Sequence, residues 1–283
     1  MFEKILICTD FADGLHRLAC FVASLSAGGI RQIVFLHVVP LSEVGIIPKV
    51  DSDRIEKAEA RLKKAVGEPP SEIEVKIEVR SGRPVETIRS VARSYQSELI
   101  MLGSQAHSLL TEKLTSSIAA DLSHQTTIPL LVLRPQLIAA LTGEELALRC
   151  QHLLRYLLVP YDGSETSNSL IQQVKQLAEK QPSRFLECCR LCWIIDGLPT
   201  QPERETLSHV KADLEAVDLR VEAEFHRGAA LTEILELAQM DGISAIAIAS
   251  GTIGTFQEWF VSSTAADLLR QSWCPVLFFP SKR

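Results

Sequence analysis

The strongest constraint in this sequence is an internal repeat. Residues 116–123 read SSIAADLS, and residues 262–269, which lie 146 positions later, read SSTAADLL. The same offset relates Gly82 to Gly228, and several other identical residues also recur 146 positions apart. Because a compact domain has roughly 100–200 residues, a repeat of this length in a chain of 283 residues predicts two similar domains in tandem.

Each half contains the same alternation of strand and helix patterns. Five short apolar runs have strand character: EKILICTDF, IVFLHVVP, EIEVKIEVR, ELIMLGS and PLLVLRP in the first half, each with a counterpart in the second. The third run alternates strictly between apolar and charged residues, which predicts a half-exposed strand at a sheet edge. Ser52 or Asp53 is expected to cap the second helix. Five strands alternating with helices, twice, predict an α/β protein with two parallel sheets.

The ends of the repeat divide the chain into residues 1–135, a linker at 136–153 and residues 154–283. Within the linker, Thr142 and Glu145 have the spacing of a capping box, in which the side chain of each residue satisfies a backbone N–H of the other. The linker is therefore expected to form a short helix rather than a flexible tether.

The chain carries a formal net charge of −6, with 35 acidic and 29 basic residues. A nucleic-acid surface or an anionic membrane surface requires clustered Lys and Arg, so neither partner is expected. No run reaches the ~20 apolar residues of a membrane-spanning helix. The N-terminal residues MFEKILICTD, in which Glu3 and Lys4 lead directly into an apolar strand, lack the pattern of a signal peptide. These features predict a soluble, cytoplasmic protein.

Residues 188–192 read CCRLC and contain the C-x-x-C spacing of redox and metal sites. The surrounding segment, FLECCRLCWII, is apolar and rich in strand-forming residues. Residues i and i+3 of a strand point to opposite faces, so Cys189 and Cys192 are not expected to share a metal ion without an intervening turn. The interpretation that we favour is a buried strand of the second sheet.

The ordered set of segments resembles the universal stress protein family. The matching segments are ILICTDFAD and LLVPYDGSETS at the first strand, FLHVV at the second, GRPVETIRSVA and GAALTEILELA at the third helix, and ELIMLGS and SAIAIAS at the fourth strand. The two SS-x-AADL segments close the domains, so the resemblance covers nearly the whole chain. It implies two tandem Rossmann-like domains of the adenine-nucleotide alpha-hydrolase type, each a five-stranded parallel sheet in the order 3-2-1-4-5 with helices on both faces.

In that order strands 1 and 4 are neighbours although the chain crosses the sheet between them, and ligands of open α/β sheets bind at such a crevice. Nucleotide-binding members of the family carry G-x2-G-x9-G-[S/T] after strand 4, where glycines let backbone N–H groups approach phosphates. The first half has Gly103, Ala106 and the pair Ser116–Ser117 at this spacing, so one of three glycines remains. The offset of 146 aligns Ala249 with Gly103, and the second half keeps none of the three.

The serines that open the two closing segments have two interpretations. Serine is among the best helix N-caps, and Ser116 and Ser262 are predicted to cap the last helix of each half. Alternatively, the serine hydroxyl and backbone N–H groups bind an anion at the helix N-terminus. Asp10 and Asp162, at the end of the first strand in each half, likewise either contact a ribose, an adenine edge or a cation, or cap the first helix. His37, at the end of the second strand, is expected to be a hydrogen-bonded histidine of the core or its rim.

The resemblance therefore implies a site for ATP or AMP in the first half and a weaker one in the second. The candidate residues lie at the ends of strands 1, 2 and 4 and at the start of the last helix. They are Thr9, Asp10, Val38, Gly103, Ser104, Ala106, Ser116 and Ser117 in the first half, and Asp162, Ser250, Ser262 and Ser263 in the second. If either half holds nucleotide, the first is expected to do so, because it keeps one motif glycine.

The sequence has no nucleophile elbow, zinc-protease motif or P-loop, so the protein is not expected to be an enzyme. Three functions stay open: a nucleotide-responsive regulatory protein of the stress response, a nucleotide-free protein-interaction module and, least favoured, a slow ATP hydrolase. The resemblance also implies that the last strands pair within one chain, residues 129–134 with residues 275–279. A homodimer and a protein partner are further expectations.

Overall fold

The computed structural model describes residues 2–12, 14–41, 50–103, 115–133, 138, 142–180, 185–240, 242–249, 271–272 and 274–280. For residues 115–117, 120, 124 and 240 it describes the backbone alone. Contacts divide the chain into two compact parts, Phe2–Gln151 and His152–Arg283, which we call the first unit and the second unit.

The first unit alternates strands with helices, as predicted. Its strands are β1 (Lys4–Cys8), β2 (Gln32–Val39), β3 (Glu74–Ser81), β4 (Leu99–Gly103) and β5 (Leu130–Leu133). Its helices are a 3-10 helix (Leu15–Phe21) that continues into α1 (Val22–Ala27), then α2 (Ser52–Val66), α3 (Pro84–Ser94), α4 (Thr115–Gln125) and α5 (Gly143–Gln151). The single helix predicted after β1 therefore begins as a 3-10 helix. It follows Gly14, whose backbone is left-handed and which has no side chain to cap the helix.

The second unit repeats this arrangement. Its strands are β6 (Tyr156–Tyr161), β7 (Cys188–Ile195), β8 (Arg220–Arg227), β9 (Ala245–Ala249) and β10 (Val276–Phe279). Its helices in the described residues are α6 (Glu165–Glu179), α7 (Gln201–Glu215) and α8 (Ala230–Met240), and Gln271 is also helical. The start of the closing helix that was predicted at Ser262 lies outside the described residues.

The strands of each unit pair in parallel. In the first unit β1 pairs with β2 and β4, β2 pairs with β3, and β4 pairs with β5. In the second unit β6 pairs with β7 and β9, β7 pairs with β8, and β9 pairs with β10. Both sheets therefore have the order 3-2-1-4-5, and the predicted α/β architecture is confirmed.

Burial follows the sequence pattern along the strands. In β2, an uninterrupted apolar run, residues 33–36 are fully buried. In β3 the side chains of Val75 and Ile77 are half-buried, whereas those of Glu74 and Lys76 are exposed, as an edge position requires. In β7 the side chains of the CCRLC segment are largely buried. None of the described helices is long and apolar enough to cross a membrane.

The thiols of β7 support the prediction of a buried strand. Cys189 and Cys192 are both fully buried. Burial raises the pKa of the Cys192 thiol to about 12, and it also raises the pKa of the Cys189 thiol. Because the thiolate is the nucleophile and the metal ligand, these protonated thiols belong to the core rather than to a reactive site.

Helix ends are set by short side-chain contacts. The N-cap of α2 is Asp51, whose Oδ1 accepts a hydrogen bond from Arg54 N at 3.1 Å. The predicted caps, Ser52 and Asp53, lie one and two residues too far along, so that prediction was wrong in register although the helix itself is present. The capping contact of α7 is a full capping box between Thr200 and the residue three positions later.

The helix predicted in the linker is α5, and it packs with the first unit. Thr142 Oγ1 accepts a hydrogen bond from Glu145 N at 3.2 Å, which confirms the Thr142 half of the predicted capping box. Glu145 Oε1 accepts a hydrogen bond from Arg149 at 2.6 Å. Leu146 is buried, and the end of α5 lies against α1 so closely that a Cβ on Gly28 would be 2.8 Å from the carbonyl oxygen of Gln151. The first unit is therefore larger than the repeat by one helix.

Candidate functional site

The two units place a crevice at the same point of their sheets. In the first unit β1 lies between β2 and β4, and the chain crosses from the β3 edge to β4. A crevice of this kind opens beyond the carboxyl ends of the two central strands. In the second unit β6 and β9 take the places of β1 and β4. Of the predicted site residues that are described, Thr9, Asp10, Gly103 and Asp162 fall at these strand ends, and Val38 lies near the end of the neighbouring strand β2.

Small residues border the crevice of the first unit. Cys8 is paired with Leu102, so the residues that follow, Thr9 and Gly103, lie level with each other where β1 and β4 end. Thr9 is buried, and its Oγ1 accepts a hydrogen bond from Phe11 N at 3.0 Å. Gly103 is half-buried and carries no side chain. Neither residue adds bulk at this point of the sheet.

Asp10 lies beside this pair and is exposed. Its Oδ1 accepts a hydrogen bond from Ala12 N at 2.8 Å, the contact of an Asx turn. The first helix starts only at Leu15, after Gly14, so the Asp10 side chain does not cap it. The turn therefore orients the Asp10 carboxylate at the edge of the crevice.

Val38 presents its backbone to the same region. The carbonyl oxygen of Leu36 accepts a hydrogen bond from Thr9 N at 2.9 Å, so the backbone groups of Leu36 point toward β1. Backbone groups of alternate residues in a strand point the same way, so those of Val38 also point toward the side of β1, beyond its end at Cys8. An N–H and a C=O on one residue match the donor and acceptor edge of a nucleotide base.

A buried tyrosine occupies the corresponding position in the second unit. Leu158 is paired with Ile246, and continuing this register brings Tyr161 level with Ala249. Tyr161 is only 2% exposed, and its hydroxyl donates a hydrogen bond to Asn168 Oδ1 at 2.7 Å. The second unit therefore has a large, anchored ring where the first unit has a threonine.

Trp193 of β7 packs against this tyrosine and against the turn that follows it. Its ring stands edge-on to that of Tyr161, with centroids 5.1 Å apart, and lies 5.4 Å from the ring of Phe225. A Cβ added to Gly163 would lie 3.0 Å from Trp193 Cη2. Burial raises the pKa of the Tyr161 hydroxyl, and the charge of Asp162 acts in the same direction. The rings of Tyr161 and Trp193 form part of the packed interior.

Asp162 shapes the start of α6. Its Oδ1 accepts a hydrogen bond from Ser164 N at 2.9 Å. Burial acts to raise the pKa of this carboxyl, but hydrogen bonds from Ser164 and Ser167 outweigh burial and hold the pKa below its ordinary value. Ser164 in turn caps α6, because its Oγ accepts a hydrogen bond from Ser167 N at 3.1 Å. These hydrogen bonds of Asp162 thus stabilise the turn and the start of the helix that follows.

The turn after the first strand has the same backbone in both units but a different residue. Gly163 has a φ of 76°, and Phe11, at the corresponding position, has a φ of 66°. A bulky residue in this left-handed region is unusual and costs about 1–2 kcal/mol. The Phe11 ring lies 4.5 Å from the His37 ring and 4.4 Å from the Arg61 guanidinium. Neither Phe11 nor Arg61 was predicted as a site residue; the available signal was phenylalanine in TDF where the second half has glycine in YDG.

Two histidines flank the turn at Phe11. His37 Nδ1 donates a hydrogen bond to the carbonyl oxygen of Thr9 at 2.8 Å, which confirms the predicted hydrogen-bonded histidine. His16 Nε2 lies 3.2 Å from a terminal nitrogen of Arg61. Because a guanidinium only donates, His16 Nε2 accepts, and the proton of the neutral ring lies on Nδ1. Burial, and then the charges of Arg61 and Arg17, lower the pKa of His16.

Most of the predicted phosphate-binding loop lies outside the described residues. This applies to Ser104 and Ala106 in the first unit and to Ser250, Ser262 and Ser263 in the second. Ser116 and Ser117 lie in the first turn of α4, and only their backbone is described. The roles predicted for these serines, capping and anion binding, stay predictions. Among the described residues, no group of three or more His, Cys, Asp or Glu is placed to bind a metal ion.

Comparison with known proteins identifies one family and one fold. A sequence model of the universal stress protein family matches residues 1–134 and 154–280. The crystal structure of a universal stress protein from Archaeoglobus fulgidus DSM 4304 matches with a TM-score of 0.68 at 18% identity, covering 98% of this chain and 96% of that one. A putative universal stress protein from Pseudomonas aeruginosa UCBPP-PA14 matches with a TM-score of 0.56 at 15% identity, covering 98% and 93%. At these identities the structures support the fold alone. No curated protein sequence matches the chain significantly.

Proposed function

The chain belongs to the universal stress protein family, and we propose that it is a regulatory stress-response protein whose first unit binds an adenine nucleotide, ATP or AMP. In this proposal the second unit does not bind a nucleotide. It also gives the protein a regulatory rather than a catalytic role, in the cytoplasm, where buried thiols such as those of β7 stay reduced.

The observation that carries this proposal is the size of the residues that face each other at the two crevices. In the first unit these residues are Thr9 and Gly103. In the second unit they are Tyr161 and Ala249, and Trp193 packs against the adjoining turn. A bound nucleotide needs a concave site beside the central strands, so bulky rings at this point argue against binding in the second unit.

Three groups in the first unit have the chemistry that a nucleotide requires. Val38 offers a backbone donor and acceptor for the edge of the base. The exposed Asp10 carboxylate accepts hydrogen bonds from ribose hydroxyls or from an amino group of the base. The N-terminus of α4, a helix of 11 residues beyond Gly103, favours a phosphate through its N–H groups and its dipole.

A second function is favoured by the motif itself. Two of its three glycines are replaced in the first half and all three in the second. A loop with side chains at these positions keeps phosphates away from the backbone, and the protein would then act as a nucleotide-free interaction module. A slow ATP hydrolase is a third candidate, distinguished from the first by phosphate release.

The pairing of residues 129–134 with residues 275–279 and a homodimer remain predictions, and separately expressed halves that are stable monomers would count against the pairing.

The test of nucleotide binding uses two variants of the full chain, with valine introduced at the last residue of the fourth strand in the first unit or in the second. Calorimetric titration with ATP and with AMP is expected to show binding to the wild type. Gly103→Val should weaken binding at least about tenfold, because a branched side chain blocks the approach to the backbone. Ala249→Val, the matched change in the second unit, should leave the affinity unchanged.

Two results would contradict this proposal in different ways. If the wild type binds neither nucleotide, the regulatory site is absent and the interaction module is the better function. If binding survives Gly103→Val and is lost in Ala249→Val, the nucleotide lies in the second unit and the argument from residue size is wrong.

A further inference from the structure

The turn that follows β1 in the first unit is strained at one residue. Phe11 adopts a φ of 66°, in the left-handed region that Gly163 occupies freely in the second unit. Strained residues of this kind persist only where surrounding contacts fix them, and they cluster at functional sites. The contacts of Phe11 therefore indicate what holds the turn.

Three side chains from other elements contact the Phe11 ring, and the most distant is the His16 ring of the 3-10 helix, with centroids 5.6 Å apart. Arg61 of α2 places its guanidinium carbon 4.4 Å from the ring centroid, within range of a cation–π interaction. The His37 ring of β2 has its centroid 4.5 Å away and is tilted by 47°. His37 is itself fixed, because its Nδ1 donates a hydrogen bond to the carbonyl oxygen of Thr9. The ring is thus held from α2 and from the sheet at once.

Arg61 is held in its position over the ring by a second partner. One of its terminal nitrogens lies 3.2 Å from His16 Nε2, which accepts the hydrogen bond. Arg61 is otherwise an exposed residue of α2, so burial does not force it against Phe11. Its position follows from the ring on one side and the imidazole on the other.

We propose that Arg61 is a positioning residue of the nucleotide site in the first unit. By holding the Phe11 ring against His37, it fixes the turn in which Ala12 N donates to Asp10 Oδ1 at 2.8 Å, and this hydrogen bond orients the carboxylate. Fixing the turn before the ligand arrives reduces the conformational freedom that binding would otherwise remove. The inference rests on the proposed function, because Asp10 is a ligand residue only if nucleotide binds there.

The second unit reaches the same turn by a different route. Gly163 adopts the left-handed conformation without a supporting ring of its own. Helix α7 of the second unit corresponds to α2 of the first. Arg61 lies ten positions after Asp51, the N-cap of α2. The residue ten positions after Thr200, the N-cap of α7, is Val210. The arginine that contacts the turn in the first unit therefore corresponds, by its position along the helix, to a valine in the second.

The test compares Arg61→Met with Lys57→Met in the full chain. Methionine keeps an unbranched apolar side chain but removes the charge, and Lys57 is an exposed lysine of the same helix. Calorimetric titration with ATP and with AMP is expected to show about tenfold weaker binding for Arg61→Met. Lys57→Met should bind as the wild type does. Arg61→Lys, which keeps a cation for the ring but not the planar guanidinium, should bind more tightly than Arg61→Met.

A second measurement does not depend on nucleotide. Amide hydrogen exchange at Ala12, followed by NMR in the ligand-free protein, reports on the hydrogen bond to Asp10. Exchange at Ala12 is expected to be about threefold faster or more in Arg61→Met than in the wild type and in Lys57→Met. Equal urea midpoints for the three proteins would show that the turn has loosened while the fold has not.

The outcomes separate this inference from the function on which it rests. Wild-type affinity in Arg61→Met, or unchanged exchange at Ala12, would overturn the role of Arg61 and leave the nucleotide site intact. A wild type that binds neither ATP nor AMP would overturn the proposed function and, with it, a positioning role in that site. Weaker binding together with faster exchange, rescued by Arg61→Lys, is the result that supports the inference.

Discussion

The two crevices of this chain share one fold and differ in where they carry bulk. In the first unit the strand ends bear Thr9 and Gly103, and the large ring belongs to Phe11 in the turn. In the second unit the turn has a glycine, and the large rings of Tyr161 and Trp193 lie on the strands. The first unit thus has its large aromatic residue in the turn, and the second unit has its large aromatic residues on the strands.

This difference shows why the position of a ring matters more than its presence. The Tyr161 ring is held at its strand end by the hydrogen bond from its hydroxyl to Asn168 and by the edge-on contact with Trp193. A ring on a turn is directed by the backbone of the turn, and that of Phe11 is directed toward Arg61 of α2. The first unit therefore keeps small residues at the strand ends although it also has an aromatic residue nearby.

Removing the ring that packs the second crevice is expected to have the largest effect on stability. Trp193→Ala leaves a cavity beside Tyr161 and Phe225 and should lower the free energy of unfolding by about 3–5 kcal/mol. The matched change in the first unit, His37→Ala, removes one hydrogen bond and one ring contact and should cost about 1–2 kcal/mol. Urea unfolding followed by circular dichroism measures both. Equal losses would mean that the two crevices are packed alike.

The tryptophans allow this experiment to separate the units. All three, Trp193, Trp259 and Trp273, lie in the second unit. Tryptophan fluorescence of His37→Ala is therefore expected to follow the wild-type curve, while circular dichroism records the loss in the first unit. A shift of the fluorescence curve would show that the two units unfold together.

Changing the size of the turn residue in each unit tests whether a side chain is tolerated in the second unit and required in the first. Gly163→Ala places a Cβ 3.0 Å from Trp193 Cη2 on a residue with a φ of 76°. The contact and the backbone conformation both disfavour this side chain, so urea unfolding should show a loss of about 1–3 kcal/mol. Phe11→Gly removes a strained residue together with its ring contacts, and these opposing effects should leave a change below about 1 kcal/mol. A neutral Gly163→Ala would mean that Trp193 moves aside easily and that the turn relaxes from its left-handed conformation.

The smallest expected effect depends on pH and belongs to the first unit alone. Folding holds the pKa of His16 below its ordinary value of 6.5, first by burial and then by the charge of Arg61. The unfolded chain therefore binds this proton more readily. The stability from this group is present above pH 6.5 and is lost as the pH falls through the folded pKa.

The comparison that isolates this proton is wild type against His16→Gln. Urea unfolding is measured by circular dichroism over a series of pH values. The difference in midpoint should be constant above pH 6.5 and should shift against the wild type below it. A difference that does not change with pH would show that folding leaves the proton affinity of His16 unaltered.

The fold was predictable because it depends on patterns that extend over many residues. Alternating strand and helix patterns led to the α/β class, and the strand order followed from the resemblance to the family. The strict alternation of EIEVKIEVR led to an edge strand, and the spacing of Thr142 and Glu145 led to α5. Single positions were harder. Asp51, Ser52 and Asp53 are all good caps, and the choice among them depends on which residue is extended, as Asp51 is. Helical spacing also does not distinguish the 3-10 helix at Leu15–Phe21 from an α-helix.

The candidate site divides along the same line. The structure brings Thr9, Asp10 and Gly103 to adjoining strand ends, which the sheet order alone predicts. The contact between Phe11 and Arg61 joins residues 50 positions apart and depends on how α2 lies over the turn. Neither periodicity nor motif spacing carries that information. The phenylalanine of TDF, aligned with the glycine of YDG, was a signal for Phe11, but Arg61 could be identified only from the three-dimensional arrangement.

The left-handed turn at Phe11 and Gly163 also bears on how repeats are compared. One main-chain path is realised by two residues with opposite properties: one is permissive by itself, and the other is constrained by its neighbours. An alignment records the residue and not the path. When one repeat lacks a glycine that the other has, the backbone conformation at that position can still be the same. The substitution then shows that other interactions, such as ring contacts, maintain the conformation.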